Sequence, residues 1–137
     1  MNEMRVVHRE GHAFAVLVRD HVIHVDQPYT AGGLNAGPTP VELFVASLAA
    51  CAAHYARQYL VRRHLPADGL EVTAGFTMSA GAPARVSRVE LRVRPALRLS
   101  DADTGGLLAA VMGCTVHNSI VDPPRIDVRL ESEAQAA

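Results

Sequence analysis

The stretch Gly37 to His64, GPTPVELFVASLAACAAHYARQYLVRRH, decides how the rest of the chain must fold. It predicts one long helix with a sharp start. Thr39 can cap it, Pro40 suits the first helical position, and Glu42 completes a T-x-x-E capping box. From Leu43 to Ala53 the only polar side chains are Ser47 and the thiol of Cys51. A surface helix carries a polar stripe, so this half is expected to be covered on all sides. Its second half gains Arg57, Arg62 and Arg63, which suit a helix C-terminus, and Pro66 lies just beyond.

Working outward, residues 4–8 and 12–26 alternate loosely and are rich in Val and Ile, which predicts two or three strands. Arg9-Glu10-Gly11 and Arg19-Asp20 are the expected turns. A connector of turn formers, Ala31 to Pro38, leads into the helix. After it, Leu70 to Ser79 places Val72, Ala74, Phe76 and Met78 on one face. Arg88 to Arg94 alternates cleanly, with Val89, Leu91 and Val93 inward and a charged face outward. Ser100 caps a second helix that Gly105 and Gly106 weaken and Gly113 ends. Cys114 to Ile120 forms a short further helix. Beyond Pro123-Pro124, Ile126, Val128 and Leu130 mark a last strand. The tail, Glu131 to Ala137, is small and polar and is expected to fray.

Strands cluster instead of alternating with helices, so the fold class is α+β with antiparallel sheets, in one domain over residues 1–137. One small sheet covers only one side of a helix, so the apolar half of the long helix calls for a second wall. That wall is expected from an identical subunit in an obligate homodimer.

A net charge of −1 gives no electrostatic reason to expect nucleic acid or an anionic membrane as partner. The N-terminus carries charges throughout and is no secretory signal, and the apolar run of the long helix is about half the ~20 residues of a membrane span. A cytoplasmic location is expected. All thirteen basic residues are Arg, which a GC-rich coding genome explains most simply.

Chemistry rests on two thiols, Cys51 and Cys114. On a helical wheel Ser47, Leu48, His54, Tyr55 and Gln58 share a face with Cys51, whereas Glu42 and Arg57 point away. A mid-helix thiol lacks the N-terminal dipole, so a reactive Cys51 needs a cation from another element; otherwise it is a small buried hydrophobe. Cys114, after the Gly113 break, is expected to have the better local electrostatics, because orphan N–H groups favour a thiolate there. His117 and Asn118 could face it or satisfy buried backbone groups. No metal site is expected, since Cys51-x-x-His54 and Cys114-x-x-His117 each lack a second Cys or an H-E-x-x-H pair. A Cys51–His117–Asn118 hydrolase is a further reading, although adjacent residues on a short helix diverge.

With these residues in view, GPTPVELFVASLAAC resembles the central helix of the OsmC/Ohr family, and CTVHNS resembles its second cysteine segment. The order REGHAF, VDQP, AGG, GPTP agrees, so the resemblance spans nearly the whole chain. It implies an intertwined homodimer with antiparallel sheets wrapped around long central helices. It also implies a thiol peroxidase of organic hydroperoxides, serving oxidative or osmotic stress defence. Cys51 matches the peroxidatic Cys and Cys114 the resolving one. The two would close a disulfide through a Cys51 sulfenate. No resident cofactor is implied; an external thiol, or a lipoyl group in the Ohr branch, would be the reductant. Arg9, in R-E-G-H, resembles the family's R-D-G-R turn and is the candidate activator, with Arg19 second. Aligned on the cysteine, the Ohr-type Glu falls at Val41, and Glu42 stands one position later. That shift points to the OsmC-like branch and leaves Glu42 both a site candidate and a helix cap. Ser47, His54, Tyr55 and His117 are candidates to bind substrate. The same fold could also serve as a small-ligand-binding module without turnover.

Overall fold

The computed structural model describes residues 1–131. Strands β1 (Arg5–His8), β2 (Phe14–Val18) and β3 (His21–Val25) form an antiparallel meander in that order. Its turns fall at Arg9–Gly11 and Arg19-Asp20, as the breaks in alternation predict. Arg19 takes a left-handed φ of 50° in the two-residue turn, the conformation a tight hairpin demands.

The connector to the long helix is organised by a residue whose part the alternation does not reveal. Asp26 is buried, and its carboxylate accepts N–H bonds from Gln27 at 2.7 Å, Leu34 at 3.0 Å and Ala36 at 3.1 Å. Asp26 N–H in turn donates to Pro38 O at 3.2 Å. The chain therefore closes a loop round one carboxylate and leaves it aimed into the helix. Gly37 makes the closure possible, because a Cβ there would sit 2.1 Å from the carbonyl oxygen of His24.

Helix α1 (Pro40–Arg62) follows, and its capping box is formed in full. Thr39 Oγ1 accepts from Glu42 N–H at 3.1 Å, and Glu42 Oε1 accepts from Thr39 N–H at 3.0 Å. Val45, Leu48, Ala52, Ala56 and Leu60 form its buried stripe. Strands β4 (Glu71–Met78) and β5 (Val86–Arg94) make a second antiparallel sheet, pairing Glu71 with Arg94 and Phe76 with Val89. Arg88, Glu90, Arg92 and Arg94 face solvent as the alternation requires.

Helix α2 (Asp101–Met112) lies along the C-terminal half of α1, and Ser100 caps it by accepting from Asp103 N–H at 3.1 Å. The core forms where these elements meet: Ala52, Ala56, Leu60, Leu107 and Val111, with Leu91 and Val93 packed against them. One polar cluster pins the two helices. Tyr59 Oη donates to Asp103 Oδ1 at 2.8 Å, and Arg63 Nε donates to the same oxygen at 3.0 Å. Gly106 lets the Tyr59 ring pass, since a Cβ there would meet Tyr59 Oη at 2.2 Å. The glycine that lowers helix propensity is thus required by packing.

Helix α3 (Thr115–Val121) closes the described fold, and residues 122–131 carry no strand ladder. One expectation is corrected here. The last strand is not formed, because alternation supplies a face but a strand also needs a free edge, and no edge of this chain takes the segment up. Ile126, Val128 and Leu130 are 80, 90 and 98% exposed. The N-terminal half of α1 is covered by its own chain on one side only, as the need for a second wall implies. Phe44, Ala46, Ser47 and Ala50 stay exposed because only one side faces the chain's own elements. The expected frayed tail falls mostly on residues 132–137, outside the described residues.

Candidate active site at the α1–α3 contact

Cys51 and Cys114 are 63 positions apart, and the packing of α3 on α1 brings them together. Cys51 is a neighbour of Cys114, close enough for its thiol to act on the titration of the Cys114 thiol. Both are free thiols; Cys51 is partly accessible and Cys114 fully buried. A small solute can therefore approach Cys51, while Cys114 is screened from it.

Cys114 is the N-cap of α3, and its Sγ accepts the His117 N–H at 3.3 Å. The backbone N–H groups of His117 and Val116 do favour the thiolate, as the sequence suggests. Burial outweighs them, however, and together with the neighbouring Cys51 thiol it holds Cys114 above the ordinary thiol range. The N–H groups that the sequence points to are in place, but the dipole argument counts them alone and omits the desolvation that exceeds them.

Around the pair, Tyr55 lies one turn beyond Cys51, and its Oη is 2.7 Å from Thr115 Oγ1. Thr115 carries no signal of its own in the sequence. Its place directly after Cys114, with Tyr55 four residues after Cys51, is the spacing that could have revealed it. His54 pairs with Gln58 at 3.1 Å on the exposed side, and Ser47 Oγ donates to Phe44 O at 2.7 Å, one turn toward the start of α1. His117 Nδ1 is buried without a hydrogen-bond partner among the described residues. Asn118 Nδ2 donates to Gly113 O at 3.2 Å, so it serves the helix start and forms no relay with His117.

The charged candidates stand elsewhere in the chain. Glu42 is engaged in the capping box at the start of α1, beside a depression of about 460 Å³ that Val41, Phe76 and Met78 also line. Arg9 and Arg19 sit on the two exposed hairpin turns of the N-terminal sheet. Among the described residues, no hydrogen bond or ion pair joins either guanidinium to the thiols. A separate apolar groove of about 390 Å³, lined by Val6, Phe14, Val16, Val25, Pro40 and Leu43, runs between that sheet and the start of α1. Among the described residues no three His, Cys, Asp or Glu side chains converge as a metal site, and no single helix is long and apolar enough to cross a membrane.

The fold is shared with known proteins. The α+β architecture is similar to a candidate osmotic-stress-induced and detoxification-response protein from Psychrobacter arcticus. That match has a TM-score of 0.80 and 21% identity, over 87% of this chain and 88% of that one. It is similar also to an organic hydroperoxide resistance protein OsmC from Legionella pneumophila (TM-score 0.66, 19% identity, 88% and 90% covered). A third likeness is to the organic hydroperoxide resistance protein OhrB of Bacillus subtilis (TM-score 0.61, 21% identity, 94% and 96% covered). The search of curated protein sequences returned no match. The family model of OsmC-like proteins matches residues 32–129, from the connector through α1, both thiols and the exposed C-terminal segment, and the chain belongs to that family.

Proposed function

We propose that this protein is a thiol-dependent peroxidase that reduces organic hydroperoxides, with Cys51 as nucleophile and Cys114 as resolving thiol. The observation that carries the reading is the meeting of an accessible and a buried thiol across the α1–α3 contact. A peroxide can reach only the first of them. The Cys51 thiolate attacks the terminal peroxide oxygen, the O–O bond breaks, and the alcohol leaves with a proton. The Cys51 sulfenic acid then condenses with the Cys114 thiol, forming the S–S bond and releasing water. Cys114 gives up its proton as its sulfur bonds to the sulfenic sulfur, and that proton leaves with the hydroxyl as water. The relatives named for organic hydroperoxide resistance support the substrate class.

An external thiol or lipoyl reductant returns the disulfide to two thiols, and a cytoplasmic setting supplies such reductants. The protein acts as a homodimer in this proposal. A second copy covers Phe44, Ser47 and Ala50 on α1 and takes up the apolar face of Ile126, Val128 and Leu130. Arg9, with Arg19 as second candidate, activates Cys51. Neither is bonded to the thiol within one chain, so the cation is delivered across the subunit contact.

The reduced protein, incubated with cumene hydroperoxide, is expected to lose two thiols per chain within minutes, and Cys51→Ser none by this route. An unchanged thiol titre at millimolar peroxide would sink the proposal. Sedimentation at micromolar concentration is expected to show a dimer; a stable monomer refutes the covering argument. Arg9→Ala is expected to slow alkylation of Cys51 at neutral pH, and an unchanged rate removes Arg9 from the site.

A further inference from the structure

The neighbouring thiols stand beside a rung between the same pair of helices. Cys51 and Tyr55 are one turn apart on α1, about 40° from each other round its axis. Cys114 and Thr115 are successive residues at the start of α3. The Tyr55–Thr115 hydrogen bond, at 2.7 Å, therefore runs alongside the thiol contact, one turn further along α1.

Little else fixes α3 in place. None of its residues is fully buried, and Val116 and His117 are only half-buried. The side-chain bonds of Asn118 and Ser119 stay local, to Gly113 O and Thr115 O. Among the described residues, the Tyr55–Thr115 bond is the one side-chain hydrogen bond between oxygen or nitrogen atoms that joins α3 to α1.

We propose that Tyr55 and Thr115 are positioning residues for disulfide closure, holding the start of α3 so that Cys114 stands ready to meet oxidised Cys51. The idea rests on the two-thiol reading above, but it concerns the second step and not the attack on peroxide. A disulfide forms only within a narrow geometry: sulfurs about 2.05 Å apart and Cα atoms about 4.4–6.8 Å apart. A helix start that drifts from α1 spends less time within that geometry, so closure slows while the Cys51 sulfenate persists. In closure the Cys114 sulfur bonds to the sulfenic sulfur, the S–O bond breaks, and the hydroxyl leaves as water with the Cys114 proton. No step needs the Tyr55 proton, which is why its role is placement.

Thr115→Val removes the hydroxyl while keeping the shape of an exposed side chain, and Thr115→Ser keeps the hydroxyl; Tyr55→Phe breaks the rung from the other side. Two oxidants separate the steps. Cumene hydroperoxide is used with dimedone trapping to follow sulfenate formation and lifetime. Diamide, which joins two thiols while itself being reduced to the hydrazine, drives closure without a peroxide. Thr115→Val is expected to form sulfenate at the wild-type rate and to close the disulfide about three- to tenfold more slowly, the range that one net hydrogen bond supplies. Thr115→Ser is expected to restore the wild-type closure rate, and Tyr55→Phe to slow diamide-driven closure to the extent that Thr115→Val does. In glutathione buffers, a tenfold loss of closure equilibrium appears as a potential about 30 mV less negative.

Equal closure rates in wild type, Thr115→Val and Tyr55→Phe with both oxidants overturn the positioning role while leaving the peroxidase reading intact. Rung-dependent closure with diamide, and no reaction with peroxide, supports the positioning role and overturns the peroxidase reading. No intramolecular disulfide with either oxidant overturns both.

Discussion

Along one helix, two environments meet. From Ala52 to Leu60, α1 turns Ala52, Ala56 and Leu60 toward α2 and the β4–β5 sheet, and none of the three is accessible. From Pro40 to Ala50, Val45 and Leu48 are buried on one side, while Phe44 on the other is 43% exposed. Cys51 lies at the boundary. The difference teaches where stability and the proposed chemistry are divided: the closed half anchors the helix, and the half left open by its own chain ends at the thiol proposed as nucleophile. A thiol deeper in the closed half would be unreachable, and one nearer Pro40 would lack the α3 contact.

The sharpest way to break this comparison is to hollow the closed half. Leu60→Ala is expected to cost about 2–5 kcal/mol of unfolding free energy, read by urea denaturation, with per-molecule thiol reactivity retained in the folded fraction. A loss below 1 kcal/mol would mean that the closed half does not anchor the fold. Next in size, Gly106→Ala forces the Tyr59 ring away from α2 and is expected to cost about 1–3 kcal/mol, as overpacking does. Phe at position 59 relieves only part of that loss, since its ring still crosses Gly106.

The polar pin of the closed half gives a pH signature. Asp103 is held below the usual carboxylate range, first by the Tyr59 hydroxyl and then by Arg63. A depressed folded pKa contributes stability in full above the unfolded value, about 3.9, and the contribution is lost as pH falls through the lower folded value. Tyr59 is shifted upward, chiefly by its bond to Asp103. Its contribution is complete below about pH 10 and is lost as pH rises through the folded value. Thermal melts are therefore expected to show a plateau that falls off at both ends. Asp103→Asn should lower the plateau and flatten its acid edge; an unchanged acid edge assigns that slope to other carboxylates, Asp26 first. Smallest of all, Ser47→Ala on the open half is expected to change stability by no more than about 0.5 kcal/mol, because its hydroxyl bonds only to the carbonyl of Phe44. A larger loss would mean that this surface is already sealed.

Local signals made much of the fold legible. Thr39, Pro40 and Glu42 write the start of α1 in capping chemistry, Ser100 and Gly113 bound α2, and the alternation of β5 is visible residue by residue. What stayed hidden depends on approach between distant segments. Asp26 looks like an ordinary residue at a strand end until three N–H groups from the connector converge on it. Gly106 looks like a weakness of α2 until Tyr59 crosses it. At the site, both thiols could be singled out as candidates from the chain alone. The balance at Cys114 could not be read there, because desolvation is set by elements far away in sequence, whereas the helix dipole is local. Thr115 was silent for the same reason: a hydroxyl becomes a rung only when α1 lies beside it.

The exposed alternation of Ile126, Val128 and Leu130 has a consequence in the order of synthesis. Every strand and helix described is encoded before Pro123. With translation adding about 5–20 residues per second, the nine residues from Pro123 to Glu131 take on the order of a second. The five strands and α1, complete by Arg94, leave the ribosome well ahead of this extended segment with its bare apolar face. Synthesis order holds that apolar stretch back while the earlier elements form, which shortens the interval in which it could join a wrong edge.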